Sequence, residues 1–282
     1  MNDLSSKRTL SGTEGESQAQ SAGVFSWAAD KGFALHRLIM AAIAIAIVLI
    51  CAAQMRWDWL PEYHELIFEG LWRTLWLLVA SVVIGFALAL PLGLVQVTGP
   101  AILAAPAKAF CNVIRGTPLL LQLWLLYYGL GSVFPAIPEI RDSWLWPYLR
   151  QAWPYALLSL TLSFAAYEAE VMRGAFAGVP KGELEAAKAY GFTPWQIFRR
   201  VWMPRAIHRA LPTLGGEVVL QLKATPLVAT ITVIDVYGAF TRVRQDAFLT
   251  YEPLLLLAFI YMLMAGALVL FFRYMERRIP VK

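Results

Sequence analysis

Apolar residues fall in six long runs along the chain, separated by shorter polar segments. Each run is close to the roughly 20 residues that an α-helix needs to cross the hydrocarbon core of a bilayer. The pattern therefore predicts an all-α membrane protein with about six transmembrane helices. We expect them at about 34–54, 67–95, 109–131, 153–175, 211–234 and 253–273.

The amino-terminal region differs from the rest of the chain. Residues 1–33 are rich in small and polar side chains, which predicts a disordered cytoplasmic tail. The run at 34–54 is either a cleaved signal sequence or a retained transmembrane helix. Its length exceeds a typical signal core, which favours an extra N-terminal transmembrane helix, followed by the main membrane domain at 67–282.

Composition supports the membrane assignment. Hydrophobic residues make up 59% of the chain and charged residues 15%, whereas soluble domains have about 25% charged residues. Lys and Arg are concentrated in 1–33, 96–108, 176–210 and 274–282. Because basic residues accumulate in cytoplasmic loops, both termini and the long 176–210 loop are predicted to be cytoplasmic. The net charge of +5 fits such loops and does not indicate nucleic-acid binding.

The 176–210 loop carries strong helix signals although it is polar. The stretch Lys181–Tyr190 has acidic residues early and Lys188 late, an order that the helix dipole favours. Gly191 follows at the position where a left-handed residue commonly ends a helix. We therefore expect a helix that ends in a sharp glycine corner.

A second helix is predicted directly after this corner. Thr193 is placed as an N-cap, Pro194 occupies the first helical position, and Gln196 completes a capping box. Because proline disfavours a continuing helix before it, this second helix is expected to end before Pro204.

Polar residues form stripes inside the predicted spans. In a spanning helix such residues are energetically unfavourable, and they tend to face the bundle interior or a water-filled cavity. The alternative for each is a hydrogen bond between helices. The candidates for a solute pathway are Ser163, Tyr167, Glu170, Gln122, Glu217, Gln221 and Thr225.

Glu170 has two interpretations. As a carboxylate in an apolar helix it could attract a cationic solute more strongly than in water. Alternatively it pairs with Arg173, three residues later on the same helix, and shapes the helix only.

Neither a catalytic group nor a metal site is indicated. The histidines, His36, His64 and His208, are scattered and form no set with a nucleophile. The two cysteines, Cys51 and Cys111, lie far apart in apolar runs without metal-ligand spacing.

The stretch EAAKAYGFTPWQIFRRVWMP, residues 185–204, resembles the EAA loop of ATP-binding-cassette importer permeases. Three further stretches resemble the polar amino acid branch of that family: RGTPLLLQLWLLYYGL, AAYEAEVMRGAFAGVPKGELEAAKAYGF and LPTLGGEVVLQLKATPL. The resemblance extends from residue 67 to the end, and the combination of these four stretches is highly specific for the family. The positions that match the loop motif are Glu185, Ala186, Ala187, Gly191 and Pro204.

This resemblance implies a type I importer permease fold, with a five-helix core plus the extra N-terminal helix. It also implies that the EAA loop forms a coupling helix that docks on a separate ATPase. The partners it implies are two copies of an ATP-binding subunit, a second permease subunit, identical or related, and a periplasmic solute-binding protein. The location would be the lipid bilayer of a bacterial inner membrane.

The chain is therefore expected to be a transport subunit and not an enzyme. It has no G-x-x-x-x-G-K-[ST] phosphate-binding loop. We expect this chain to bind no cofactor, and ATP and Mg to be on the partner ATPase. The carboxy-terminal half is most similar to histidine, arginine and opine permeases, so a polar, cationic amino acid or opine is the expected solute.

Two departures from the branch stand in the matched region. Glu183 replaces a usual Gln, and Pro226 replaces a usual Ser.

An alternative function is an ion- or proton-driven secondary amino acid transporter, but inverted repeats and broken midplane helices are not evident in the sequence. A membrane scaffold or receptor without transport is a third alternative.

Overall fold

The computed structural model describes residues 53–278 together with 39, 40, 42, 43 and 46. The predicted tail at 1–33 lies outside the described residues, as does most of the predicted first helix at 34–54. The described residues from Asp58 to Arg278 belong to one compact unit.

Within the described residues the unit is built from helices joined by turns, without strands. In chain order the helices are α1 Leu60–Thr98, α2 Ala101–Gly116, α3 Leu119–Ala136, α4 Trp153–Ala177, α5 Lys181–Ala189, α6 Pro194–Ile231, α7 Val236–Asp246 and α8 Tyr251–Arg278. Two one-turn helices, Pro138–Arg141 and Trp146–Leu149, lie between α3 and α4. The central helix α4 contacts α1, α2, α3 and α6, while α8 packs against α6 and α7.

In this part of the chain, three helices are long and apolar enough to cross a membrane: α1, α3 and α8. A fourth is added if α6 and α7, which are bent by 52° relative to each other, are taken as one broken span. α4 has 25 residues and is long enough, but it is less apolar and is buried at the centre of the bundle. The predicted number of six spans stays a prediction.

The most extensive helix contact joins α1 to α4. Glycines on α1 permit this close approach. A Cβ atom at Gly85 would lie 2.9 Å from Phe164 Cδ1, and one at Gly93 would lie 2.8 Å from the backbone oxygen of Ala169. Small residues that let helix backbones approach closely are typical of helix pairs in membranes.

The predicted single span at 109–131 is wrong, because the chain breaks between α2 and α3. Thr117, which precedes Pro118, is extended with φ −109° and ψ 140°, as expected for a residue before proline. The Gln122 side chain donates hydrogen bonds to the carbonyl oxygens of Ile114 at 2.7 Å and Thr117 at 3.0 Å. It thereby satisfies carbonyls that the end of α2 leaves without partners.

The span predicted at 211–234 is the second half of the longer helix α6. Its last turns, Thr225–Ile231, tighten into a 3₁₀ helix. Thr232 then adopts a left-handed conformation with φ 68°. Thr232 therefore lies outside the helix, in the turn leading to α7.

Candidate coupling elbow and solute pathway

We call residues 181–204 the coupling elbow. Gly191 has φ +80° and ends α5 as the sequence predicted. The Gly191 N–H donates to the Lys188 oxygen at 3.0 Å, and the Phe192 N–H donates to the Ala187 oxygen at 3.2 Å. These two bonds form a Schellman motif, which fixes the direction in which the chain leaves α5.

The start of the next helix is fixed by the predicted capping box. The Gln196 N–H donates to Thr193 Oγ1 at 3.3 Å, and the Thr193 N–H donates to Gln196 Oε1 at 2.8 Å. Both sides of the corner are therefore locked by local hydrogen bonds. This arrangement confirms the predicted helix, glycine corner and second helix.

The prediction that the second helix ends before Pro204 is wrong. Residues Phe198–Trp202 form a π-helical turn, and the helix continues through Pro204 to Ala224. Proline has no N–H and its ring would clash with the carbonyl four residues earlier in a regular helix. The wider π turn directly before Pro204 accommodates both effects, so the elbow is continuous with the bundle helix α6.

Aromatic packing connects the elbow to α4. Trp202 Nε1 donates to the Phe176 oxygen at 3.0 Å, and the two rings lie 5.5 Å apart. Phe198 stacks against Phe176 at 6.4 Å. A movement of the elbow therefore acts directly on the end of α4.

The outer surface of the elbow is partly aromatic. Tyr190 is 85% exposed and Trp195 is 65% exposed. Of the motif residues, Glu185 and Ala186 are exposed and Ala187 is buried. Neither aromatic side chain is among the residues predicted from the sequence, although their position beside the glycine corner was a signal for them.

Four of the predicted pathway residues lie around one cavity of about 240 Å³, which we call the inner cavity. α4 and α6 supply these residues, while the break between α2 and α3 supplies Thr117 and Leu119. The predicted residues that line it are Ser163, Tyr167, Glu217 and Gln221.

Glu217 is the acidic group of this cavity. Among the described residues it makes no hydrogen bond and no ion pair. Gln221 by contrast donates to Ser81 Oγ at 3.1 Å and to the Leu160 oxygen at 3.0 Å, so it also links α6 to α1 and α4. The inner cavity therefore holds one carboxylate available to a solute.

The other three predicted pathway residues do not line the inner cavity. Gln122 joins α2 to α3, as described above. Thr225 Oγ1 donates to the Leu222 oxygen at 2.9 Å and shares a hydrogen bond of 3.3 Å with the Tyr261 hydroxyl, which links α6 to α8. Glu170 lines a separate cavity of about 390 Å³ beside Lys108, Asn112 and Arg173.

Arg115 lies between these two cavities. Its Nη1 atom is 3.7 Å from Glu170 Oε2, and its guanidinium lies 5.3 Å from the centre of the Tyr167 ring. Arg115 is at the end of α2, where it contacts α4.

A further carboxylate, absent from the predicted pathway residues, is buried in α4. Glu168 is completely buried, and neither of its carboxylate oxygens has a hydrogen-bond partner. Its signal was its charge in an otherwise apolar stretch, but it lies outside the predicted stripe. Among the described residues, no group of three or more His, Cys, Asp or Glu side chains is arranged to hold a metal ion.

Residues 81–281 match the family described as binding-protein-dependent transport system inner membrane component. The chain belongs to this family. It is the permease subunit of an ATP-binding-cassette importer, and its relatives work with ATPase and solute-binding-protein partners. The permease is thus an inner-membrane protein with several apolar helices.

Curated relatives cover most of the permease. Octopine transport system permease protein OccM of Rhizobium radiobacter is 38% identical over 70% of this chain and 79% of the relative. Histidine/lysine/arginine/ornithine transport system permease protein HisM of Salmonella typhimurium is 36% identical over 78% of this chain and 91% of the relative.

Solved structures share the fold of the permease. An amino acid ABC transporter with histidines is 30% identical with a TM-score of 0.66, covering 80% of this chain and 100% of that one. A bacterial ABC transporter for alginate import has a TM-score of 0.67 at 17% identity, over 89% of this chain and 98% of that one. The predicted type I importer permease fold is confirmed.

Proposed function

We propose that this permease imports a polar amino acid or opine in an ATP-driven complex, with cationic solutes favoured. The observation that carries the proposal is Glu217, an unpaired carboxylate in the inner cavity of a chain whose relatives include permeases named for octopine and for histidine, lysine, arginine and ornithine. A carboxylate at reduced dielectric attracts a guanidinium or ammonium group more strongly than one in water.

Polar groups on the same cavity support a transient solute site. Ser163 and Tyr167 face Glu217 from α4, and the cavity of about 240 Å³ is of the size of an amino acid side chain with its backbone groups. A solute guanidinium would contact Glu217, while hydroxyl groups would accept or donate the remaining hydrogen bonds. Such a site binds weakly enough to release its solute, as transport requires.

The coupling elbow is the proposed contact with the ATPase. Its motif residues are Glu185, Ala186, Ala187, Gly191 and Pro204. Two copies of an ATP-binding subunit would bind ATP and Mg, since this chain has no phosphate-binding loop. A second permease subunit, identical or related, would complete the pathway, and a periplasmic protein would deliver the solute.

Orientation follows from the same proposal. The coupling elbow faces the cytoplasm, where the ATPase is located, and both termini are cytoplasmic. The start of α4 and the turn between α6 and α7 then face the periplasm. This orientation agrees with the concentration of Lys and Arg in the 176–210 loop.

Uptake by the reconstituted complex tests the proposed function. Proteoliposomes containing the permease, its partner permease, the ATPase and the binding protein are assayed with radiolabelled L-arginine against a panel of unlabelled amino acids and opines. We expect ATP-dependent uptake of L-arginine, which unlabelled cationic solutes inhibit most strongly. Uptake that continues without ATP and collapses with a proton uncoupler would indicate a secondary transporter instead.

A further inference from the structure

Another cavity lies at the end of α4 that is farthest from the coupling elbow. It measures about 490 Å³, and we call it the outer cavity. α4 runs 25 residues from Trp153, on the cavity wall, to Ala177, beside the elbow, a distance of about 37 Å at 1.5 Å per residue. Under the proposed function this end faces the periplasm, so the inference rests on that function.

Two arginines line the outer cavity from different elements. Arg73 of α1 donates from Nη1 to the Ile234 oxygen at 3.3 Å and lies 3.4 Å from Glu69 Oε2. Arg150 precedes α4 and is exposed, and its side chain has no hydrogen bond or ion pair with the described residues. One guanidinium is therefore anchored, while the other is available to an anion.

Aromatic rings form the rest of the wall. Trp76 and Trp153 meet edge to face with ring centres 5.5 Å apart. Tyr127 and Arg150 are shared with an adjoining cavity of about 400 Å³, which Tyr128 and Trp146 also line. Arginine binds carboxylates through paired hydrogen bonds, and aromatic faces attract ammonium and guanidinium groups.

Backbone strain marks the same cavity independently. Thr232 lines it and has φ 68°, although β-branched residues are strongly disfavoured in the left-handed region. Such conformations persist where surrounding contacts impose them, and they cluster at ligand sites and switch regions. Here the Arg73 hydrogen bond to Ile234 holds the strained segment against α1.

We propose that the outer cavity is an entry site for a zwitterionic solute. The solute carboxylate binds Arg150 and Arg73, and its cationic group lies over the Trp76, Trp153 and Tyr127 rings. The solute occupies this site after release from the binding protein and before it reaches Glu217. Opines, which carry more than one carboxylate beside a cationic group, fit the same chemistry.

The first test is uptake of radiolabelled L-arginine by the complete transporter in proteoliposomes. Arg150→Gln should raise KM about tenfold with little change in the maximal rate, because one charged hydrogen bond to the solute is lost. Arg150→Lys, which keeps the charge, should stay within about threefold of wild type. Arg141→Gln, in the same outer loop but away from the cavity, is the matched control and should behave as wild type.

The second test is direct binding of L-arginine to the complex in nanodiscs without the binding protein, compared with agmatine, which lacks the carboxylate. We expect the wild type to prefer L-arginine and Arg150→Gln to lose that preference. This assay tests solute binding in the outer cavity independently of ATP-driven uptake. A failure of ATP-driven uptake in wild type would refute the proposed function alone.

Three outcomes would overturn the proposal. The first is an unchanged KM and unchanged preference in Arg150→Gln. The second is a loss of uptake matched by weaker docking of the solute-free binding protein, which would assign Arg150 to the docking surface. The third is a difference in uptake between wild type and Arg150→Gln that is present in vesicles containing phosphatidylglycerol but absent in pure phosphatidylcholine. That result would assign the cavity to an anionic lipid headgroup.

Discussion

The Arg173 guanidinium donates two hydrogen bonds to one oxygen of Glu170, Oε2, from Nε at 3.0 Å and from Nη2 at 2.9 Å. The structural pairing is therefore present, one turn apart on α4. Arg115 adds a second positive charge at 3.7 Å from the same oxygen. Glu170 is thus already paired with two arginines, whereas Glu217 makes no hydrogen bond or ion pair with the described residues.

The first prediction follows from this pairing. Glu170→Gln should reduce uptake of cationic and neutral solutes by the same factor, because it leaves Arg173 without its partner and does not remove a solute contact. Arg173→Gln added to Glu170→Gln should recover part of the loss. Competition uptake assays measure both effects. A loss restricted to cationic solutes, without recovery in the double variant, would contradict this view.

The second prediction concerns Glu217. Glu217→Gln should reduce uptake of L-arginine about tenfold more than uptake of a neutral amino acid, because one charged contact to the solute is lost. Glu139→Gln, an exposed carboxylate in the segment between α3 and α4 that lines none of these cavities, is the control and should change neither. Equal effects of Glu217→Gln on both solutes would remove Glu217 from the solute site.

The third prediction concerns coupling. Gly191→Val should abolish solute-stimulated ATP hydrolysis while membrane insertion is retained, because valine is strongly disfavoured at φ +80°. A Cβ atom at Gly191 or at Gly182 meets nothing within 4 Å, so crowding is equal at the two sites. Gly182→Val, inside α5, is therefore the matched control and should retain most coupling. Normal stimulated hydrolysis in Gly191→Val would refute the role of the corner.

The fourth prediction is topological. A cysteine introduced next to Arg150 should react with a membrane-impermeant maleimide added outside intact cells, and one introduced at Gly182 should react only after permeabilisation. The basis is the excess of basic residues in the 176–210 loop. Reversed labelling would place the coupling elbow on the wrong side for an ATPase.

The fifth prediction tests the contact between α1 and α4. Gly93→Ala should destabilise the permease by about 1–3 kcal/mol, because its Cβ would lie 2.8 Å from the Ala169 oxygen and the helices must separate. Gly216→Ala on α6, where a Cβ meets nothing within 4 Å, should leave the melting temperature in detergent unchanged or raise it slightly. An equal melting temperature for wild type and Gly93→Ala would show that the helices tolerate the methyl group.

Local features of this permease could be predicted from its sequence. The Thr193–Gln196 capping box and the Gly191 corner depend on residues within six positions of one another, so residue type and spacing specify them. The apolar runs likewise indicated membrane helices, because burial in lipid depends on composition along a single segment. The Glu170–Arg173 pair is also a local feature, because the two residues are three positions apart on one helix.

Other features depended on contacts between distant segments. The break at Thr117 and the path of α6 through Pro204 reflect balances between proline chemistry and packing that neighbouring residues alone do not decide. The tertiary structure also placed Glu170 and Glu217 on different cavities, although both lie in polar stripes. A stripe specifies which face of a helix is polar, but not which neighbouring helix that face contacts. Only the assembled bundle brought Arg73 and Arg150 to one cavity from positions 77 residues apart, since that proximity arises from helix packing.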